Sequence, residues 1–173
     1  MSASKGGSGS ARKLPLRAQL PLLDRLIDAH PGTPEAPPVT ASEALEQLHA
    51  AVRRDVEALL NARRRRRPLP THLTELPSSP LNYGIPDPSA GAYSVPEMRA
   101  GLSMEVETAI RRFEPRLTKV SVVLQGADDE LAGTLRLKID AVLRADPVPE
   151  SVSFETLLEP VSRDITVRDA GVS

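Results

Sequence analysis

With 173 residues, 22 Lys plus Arg against 23 Asp plus Glu, the chain is almost neutral, so its overall charge gives no general reason to expect nucleic acid or an anionic membrane as partner. An apolar content of 40% supports one core of domain size but not two. The absence of cysteine excludes a disulfide framework, a thiolate metal site and a thiol nucleophile, and fits a reducing compartment such as the cytoplasm. Charge is mildly uneven: residues 1–93 hold 12 basic and 9 acidic side chains, net +3, and residues 94–173 hold 10 and 14, net −4.

The opening "MSASKGGSGSARK" is Gly/Ser-rich, and residues 1–18 are expected to be a disordered tail ahead of a single domain over 19–168. No apolar run of signal-peptide length follows the early basic residues, and no stretch approaches the roughly 18 apolar residues of a membrane span. In "LPLLDRLIDAH", Leu20, Leu23, Leu26 and Ile27 fall on one helical face and Pro21 suits a first turn, predicting a short amphipathic helix. "HPGTPEAPP" then forbids continuation and reads as a stiff linker, so that apolar face must find a surface elsewhere.

Two long helices follow. Thr40 as N-cap with Glu43 three residues on forms a capping box, and Leu45, Leu48, Val52, Val56 and Leu59 recur at helical spacing, predicting a helix over 41–62 with one buried stripe. Ser94 and Glu97 repeat the capping box, and Val95, Met98, Leu102, Val106, Ile110 and Phe113 give the second stripe. Between them lies a proline-rich loop, 68–93, without periodic pattern. A loop of that length is either functional or an ordered crossover.

Pro115 ends the second helix, because an interior proline costs about 3 kcal/mol and drives the preceding residue toward extended angles. Glu114 is therefore expected to be extended. From there the period is two: Val120, Val122 and Leu124 alternate with Lys119, Ser121 and Val123, "GADDE" is a turn, and "LAGTLRLKIDAVLR" alternates throughout. "SVSFETLLEP" gives a third strand with Val152, Phe154, Thr156 and Leu158 in phase, with a possible extension toward "DITVRD". The fold class is α+β, with N-terminal helices packed on a three-stranded antiparallel meander.

The run Arg63 to Arg67, with Arg53 and Arg54, makes the window 53–67 net +5 after Asp55 and Glu57 are subtracted. Closely spaced guanidinium groups could bind phosphate, or they could complement the dipole at a helix end and solvate a loop. No aromatic residues interleave with the run, so an acidic protein surface fits it better than a nucleic acid does. His30, His49 and His72 lack metal-ligand spacing and read as solvated side chains. No nucleophile elbow, phosphate loop or dinucleotide fingerprint occurs, and neither an enzymatic activity nor a cofactor is indicated.

Glu114 and Arg116 remain. Two apart in an extended segment, they project from one side and share the phase of Val120, Val122 and Leu124. A solvated pair of this kind is worth about 0–1 kcal/mol, whereas an arginine desolvated in an interface counts for about 2 kcal/mol or more. A helix-exit ion pair and a docking pair both fit the sequence.

The segments "LLDRLID" (22–28), "RRDVEALLNARR" (53–64), "SPLNYGIPD" (79–87) and "AIRRFEPRL" (109–117), followed by the "LRLKIDAVL" and "VSFETLL" strands, resemble the TssE family of type VI secretion baseplate proteins. That family is similar to the lysozyme-named wedge protein of the phage T4 baseplate. The resemblance implies a non-catalytic subunit that joins TssF, TssG and TssK in the baseplate wedge, at the inner face of the inner membrane, and helps start the TssB and TssC sheath. It implies that Glu114, Pro115 and Arg116 dock against the wedge core, with Arg63, Arg64, Asn82, Tyr83 and Gly84 among the partner-binding residues. The lysozyme name keeps a peptidoglycan hydrolase as the alternative reading, and nucleic-acid binding through the arginine run as a lesser one.

Overall fold

A computed structural model describes Asp24, Leu26 and residues 40–65, 67–87, 96–125, 135–145, 148–158 and 164–170. Helix α1, Ala41–Asn61, starts at the expected capping box: the Glu43 N–H donates to Thr40 Oγ1 at 3.3 Å, and Glu43 Oε2 accepts the Thr40 N–H at 2.8 Å. The Thr40 N–H, and after it the Thr40 hydroxyl, which donates to the same oxygen at 2.8 Å, hold the Glu43 carboxyl below its ordinary range. Leu48, Val52, Val56 and Leu59 are buried as the spacing predicts. Ala44, Ala51 and Leu60 widen the stripe, while Leu45 is only half-buried. Helix α2, Pro96–Phe113, buries Leu102, Val106, Ala109 and Ile110. Its expected cap, Ser94, lies outside the described residues.

Among the described residues the sheet has four antiparallel strands in chain order rather than three: β1 (Leu117–Gln125), β2 (Leu135–Leu143), β3 (Glu150–Leu158) and β4 (Ile165–Asp169). "DITVRD" is a separate strand and not an extension of β3. Ile165 and Val167 are buried with exposed Thr166 between them, so the segment has its own period-two pattern, and it pairs back along β3 from Leu158↔Ile165 to Phe154↔Asp169. The core lies between one sheet face and the helices, with Phe154, Ile139, Leu143, Val52, Val56 and Val106 fully buried. Helix α2 packs on β1 and α1 on β4. Side chains of α1 also satisfy the outer edge of β4: Asn61 Nδ2 donates to Ile165 O and Asn61 Oδ1 accepts the Ile165 N–H, both at 2.8 Å, while Glu57 Oε2 accepts the Val167 N–H at 2.9 Å. An edge strand otherwise offers these groups to any passing chain.

Three further expectations change. Glu114 does not begin an extended segment. Its C=O accepts the Leu117 N–H at 3.1 Å, closing a four-residue turn with Pro115 in second position. The pairing of β1 then slips between Thr118 and Ser121, where Lys119 takes φ 50°, so a bulge separates Glu114 and Arg116 from the strand phase they were expected to share. Leu26 is 73% exposed, so it does not contribute to a buried face. The rest of the predicted N-terminal helix, except helical Asp24, lies outside the described residues. His49 is not simply solvated, since its Nε2 lies 3.2 Å from Glu150 Oε2 on β3. His30 lies outside the described residues, and His72 is exposed.

Candidate functional site

The exit of α2 builds a charged corner against the middle of α1. The Glu114 N–H still donates to Ile110 O at 2.8 Å, so the helix hydrogen-bond ladder runs to the motif, and the turn through Pro115 brings Arg116 back over Glu114. Glu114 is 4% exposed and is the one charged side chain buried among the described residues. An isolated carboxylate there would cost several kcal/mol. Arg116 compensates it with two contacts, Nε to Oε1 at 2.5 Å and Nη2 to Oε2. The same Nη2 reaches Asp55 Oδ2 on α1 at 2.6 Å.

From Asp55 the charges alternate outward. Arg54 lies 3.0 Å from Asp55 Oδ1 and bonds both carboxylate oxygens of Asp24, at 2.7 and 3.2 Å. The resulting series runs Glu114, Arg116, Asp55, Arg54, Asp24. The hydrogen bonds that Arg116 donates to Glu114 are the main reason it holds its proton more firmly than a free arginine, and Asp24 as acceptor does the same for Arg54. Arg54 in turn holds the Asp24 carboxyl below its ordinary range. The network ties the helix exit, α1 and Asp24 together.

The proline-rich loop supplies the neighbouring wall. Its described part folds through two short 3-10 turns, Leu76–Ser78 and Pro80–Asn82, each with proline in its first turn. Asn82 Nδ2 donates to Pro77 O at 2.9 Å, so this side chain is spent inside its own loop. Tyr83 stacks edge-on against Phe113, ring centroids 5.3 Å apart at 71°. Burial first, then the negative charges of Asp55 and Glu114, push its hydroxyl above the ordinary 10.0. Gly84 has φ +104°, and a Cβ there would stand 2.3 Å from the Ala62 carbonyl oxygen. Only glycine allows the loop to lie so close to the end of α1. Ile85, 1% exposed, completes the attachment: its N–H donates to Ala62 O at 3.0 Å and its C=O accepts the Arg64 N–H at 2.8 Å.

The expected residues thus separate into groups. Glu114, Pro115 and Arg116 form the corner, and Tyr83 stands beside it. Gly84 holds the loop, and Asn82 braces it from within. Arg63 donates to Leu60 O at 3.2 Å, covering a carbonyl at the end of α1, and Arg64 bonds Glu105 of α2 at 2.8 Å. Sequence reasoning missed Asp55, Arg54 and Asp24. Asp55 was available as a carboxylate one residue before buried Val56 and three after buried Val52, an acid at the margin of an apolar stripe.

Fold and corner together define a small α+β domain in which Glu114 and Arg116 are held by one another and by Asp55. A family model, baseplate wedge protein gp25, matches residues 46–148, more than half of the chain, and the chain belongs to that family. The match runs from early α1 to just before β3, so β3 and β4 lie beyond it. Among solved structures, a chain in "The baseplate complex from the type VI secretion system" is similar at 18% identity, with a TM-score of 0.45, covering 65% of this chain and 94% of that one. None of the curated proteins matches. No helix among the described residues is long and apolar enough to cross a membrane.

Proposed function

We propose that this chain is a TssE-type structural subunit of a type VI secretion baseplate, which docks on the wedge proteins TssF, TssG and TssK and helps start the TssB and TssC sheath from the cytoplasmic side of the inner membrane. Membership of the baseplate wedge family is the observation that carries this reading, and the "FEPRL" and "LNYGIPD" segments narrow it to the secretion branch. The docking element is the corner at Pro115. That residue is exposed, while Glu114 and Arg116 beneath it are fixed by their own pairing and by Asp55. A rigid corner docks without the entropy cost of ordering a loop. Tyr83 and the Gly84 attachment extend the same surface. Arg63 and Arg64 support it from behind by holding the loop and the two helices together.

The role is non-enzymatic and needs no cofactor. The one carboxylate buried among the described residues is bonded by a guanidinium group, not turned toward a cleft where a glycosidic bond could enter.

Co-expression with TssF and TssG tests the docking. Wild-type protein is expected to co-purify with them, and Pro115→Glu, which puts a charge on the exposed apex, to lose co-purification while its circular dichroism and urea midpoint stay close to wild type. A Pro115→Glu protein that still co-purifies would remove the corner from the interface. Wild-type protein that fails to co-purify, or that releases soluble fragments from cell-wall sacculi, would overturn the baseplate reading.

A further inference from the structure

Beyond the Pro115 corner, the end of the arginine run forms a second feature that the wedge reading does not use. Arg64, Arg65 and Arg67 border an open cleft of about 230 Å³, whose other walls include Leu69, Pro77 and Leu81. Arg64 is committed to Glu105. Arg65 and Arg67 are exposed, and among the described residues no carboxylate or hydrogen-bond acceptor engages either guanidinium. Leu81 is 58% exposed, an apolar side chain held open to solvent beside two uncommitted cations. Arg63 and Arg64 thus serve the fold, and Arg65 and Arg67 do not.

The cleft is preorganised. Its loop side is stiffened by Pro77 and Pro80 in consecutive 3-10 turns, by Ser79 Oγ donating to Leu76 O at 2.7 Å, and by Asn82 donating to Pro77 O. Its arginine side is anchored by the hydrogen bonds joining Ala62 and Arg64 to Ile85. A cleft fixed on both sides binds without reorganising. Its volume is below the roughly 300–1,000 Å³ of pockets that enclose small molecules, and it suits one or two side chains of a longer chain. Among the described residues no aromatic side chain lines it, and none offers the stacking on which single-stranded nucleic acid binding depends. Two fork-shaped donors beside leucine and proline walls match carboxylates next to an aliphatic side chain.

We infer that this cleft is a docking site for an acidic peptide segment of a partner protein, with Asp or Glu side chains meeting Arg65 and Arg67 and a leucine-like residue seated against Leu81 and Leu69. The carboxylates steer the encounter and the aliphatic anchor gives residence, the usual division between charged rim and apolar contact. The site uses residues separate from the Pro115 corner, so either can fail without the other.

Fluorescence anisotropy on the full chain tests it, with a labelled peptide of alternating Asp and Glu around a central Leu. The comparison probes are the Asn/Gln version of that peptide, a version with Leu replaced by Ser, and a labelled oligothymidine. Wild-type protein is expected to bind the acidic peptide and to lose about tenfold or more in affinity on Arg65→Glu/Arg67→Glu. Arg65→Gln/Arg67→Gln is expected to show a smaller loss in the same direction, Leu81→Ser a loss of several-fold, and the Asn/Gln peptide no binding. Circular dichroism of each variant should match wild type. Failure of wild-type protein to bind, binding unchanged in both arginine double variants, or oligothymidine bound more tightly than the peptide would each overturn the assignment.

Discussion

Two groups of arginines in this molecule reverse their prominence between sequence and structure. The run Arg63 to Arg67 is the densest charge in the chain, yet Arg65 and Arg67 at its end are exposed and engage nothing among the described residues. Arg116 is a single arginine after a proline, and it neutralises the one charged side chain buried there while reaching across to α1. Charge density reports where solvent is, because like charges side by side repel unless water or a partner screens them. Energetic weight follows desolvation. A guanidinium at 24% side-chain exposure with two carboxylates is worth far more to the fold than several in water.

The largest effect expected from this contrast is at Arg116. Arg116→Ala leaves Glu114 buried and unpaired and should cost about 3–5 kcal/mol in urea unfolding, whereas replacing both partners, Glu114→Gln with Arg116→Gln, should cost markedly less because neither is left as a bare charge. Next comes the loop that lies between the two regions. Gly84→Ala meets both a positive φ and the Ala62 carbonyl and should cost about 2–3 kcal/mol by the same measurement, since something in the backbone must move.

Tyr83 sharpens the comparison through pH. Its hydroxyl is raised above 10.0 in the folded protein, so the neutral form is favoured there. The stability it contributes is complete below the unfolded value and is lost as pH rises through the folded one. Tyr83→Phe should therefore flatten the fall in melting temperature above about pH 10 and leave neutral pH nearly unchanged. The smallest effect is at the other arginine group: Arg67→Ala should change stability by no more than about 0.5 kcal/mol, and a larger loss would break the contrast.

Periodicity and capping were enough to locate α1, α2, the hairpin and β3 in the sequence, because each buries one face and so repeats at its own period. β4 was harder to separate. At five residues it carries only two buried positions, Ile165 and Val167, too few for a period to stand out, and it is held as much by Asn61 and Glu57 as by its own pattern. The bulge at Lys119 left no mark in the pattern of alternation after it, so the phase of Glu114 was projected through a break. Of the corner, Pro115 and its two charged neighbours could be read, since proline acts locally. Asp55 showed only its place at the margin of the apolar stripe, because its pairing depends on two elements 61 residues apart coming together. The tie from Arg54 to Asp24 could not be read, because it joins side chains 30 residues apart.

The Glu114–Arg116 corner is built onto α1 through Asp55, which makes Pro115 a fixed apex rather than a stop between two free charges. A double-mutant cycle between Asp55→Asn and Arg116→Gln, carried on Glu114→Gln and read by urea unfolding, measures that tie directly. A coupling of about 1–3 kcal/mol is expected between Asp55 and Arg116. A coupling within about 0.5 kcal/mol of zero would mean that Arg116 is not anchored to α1.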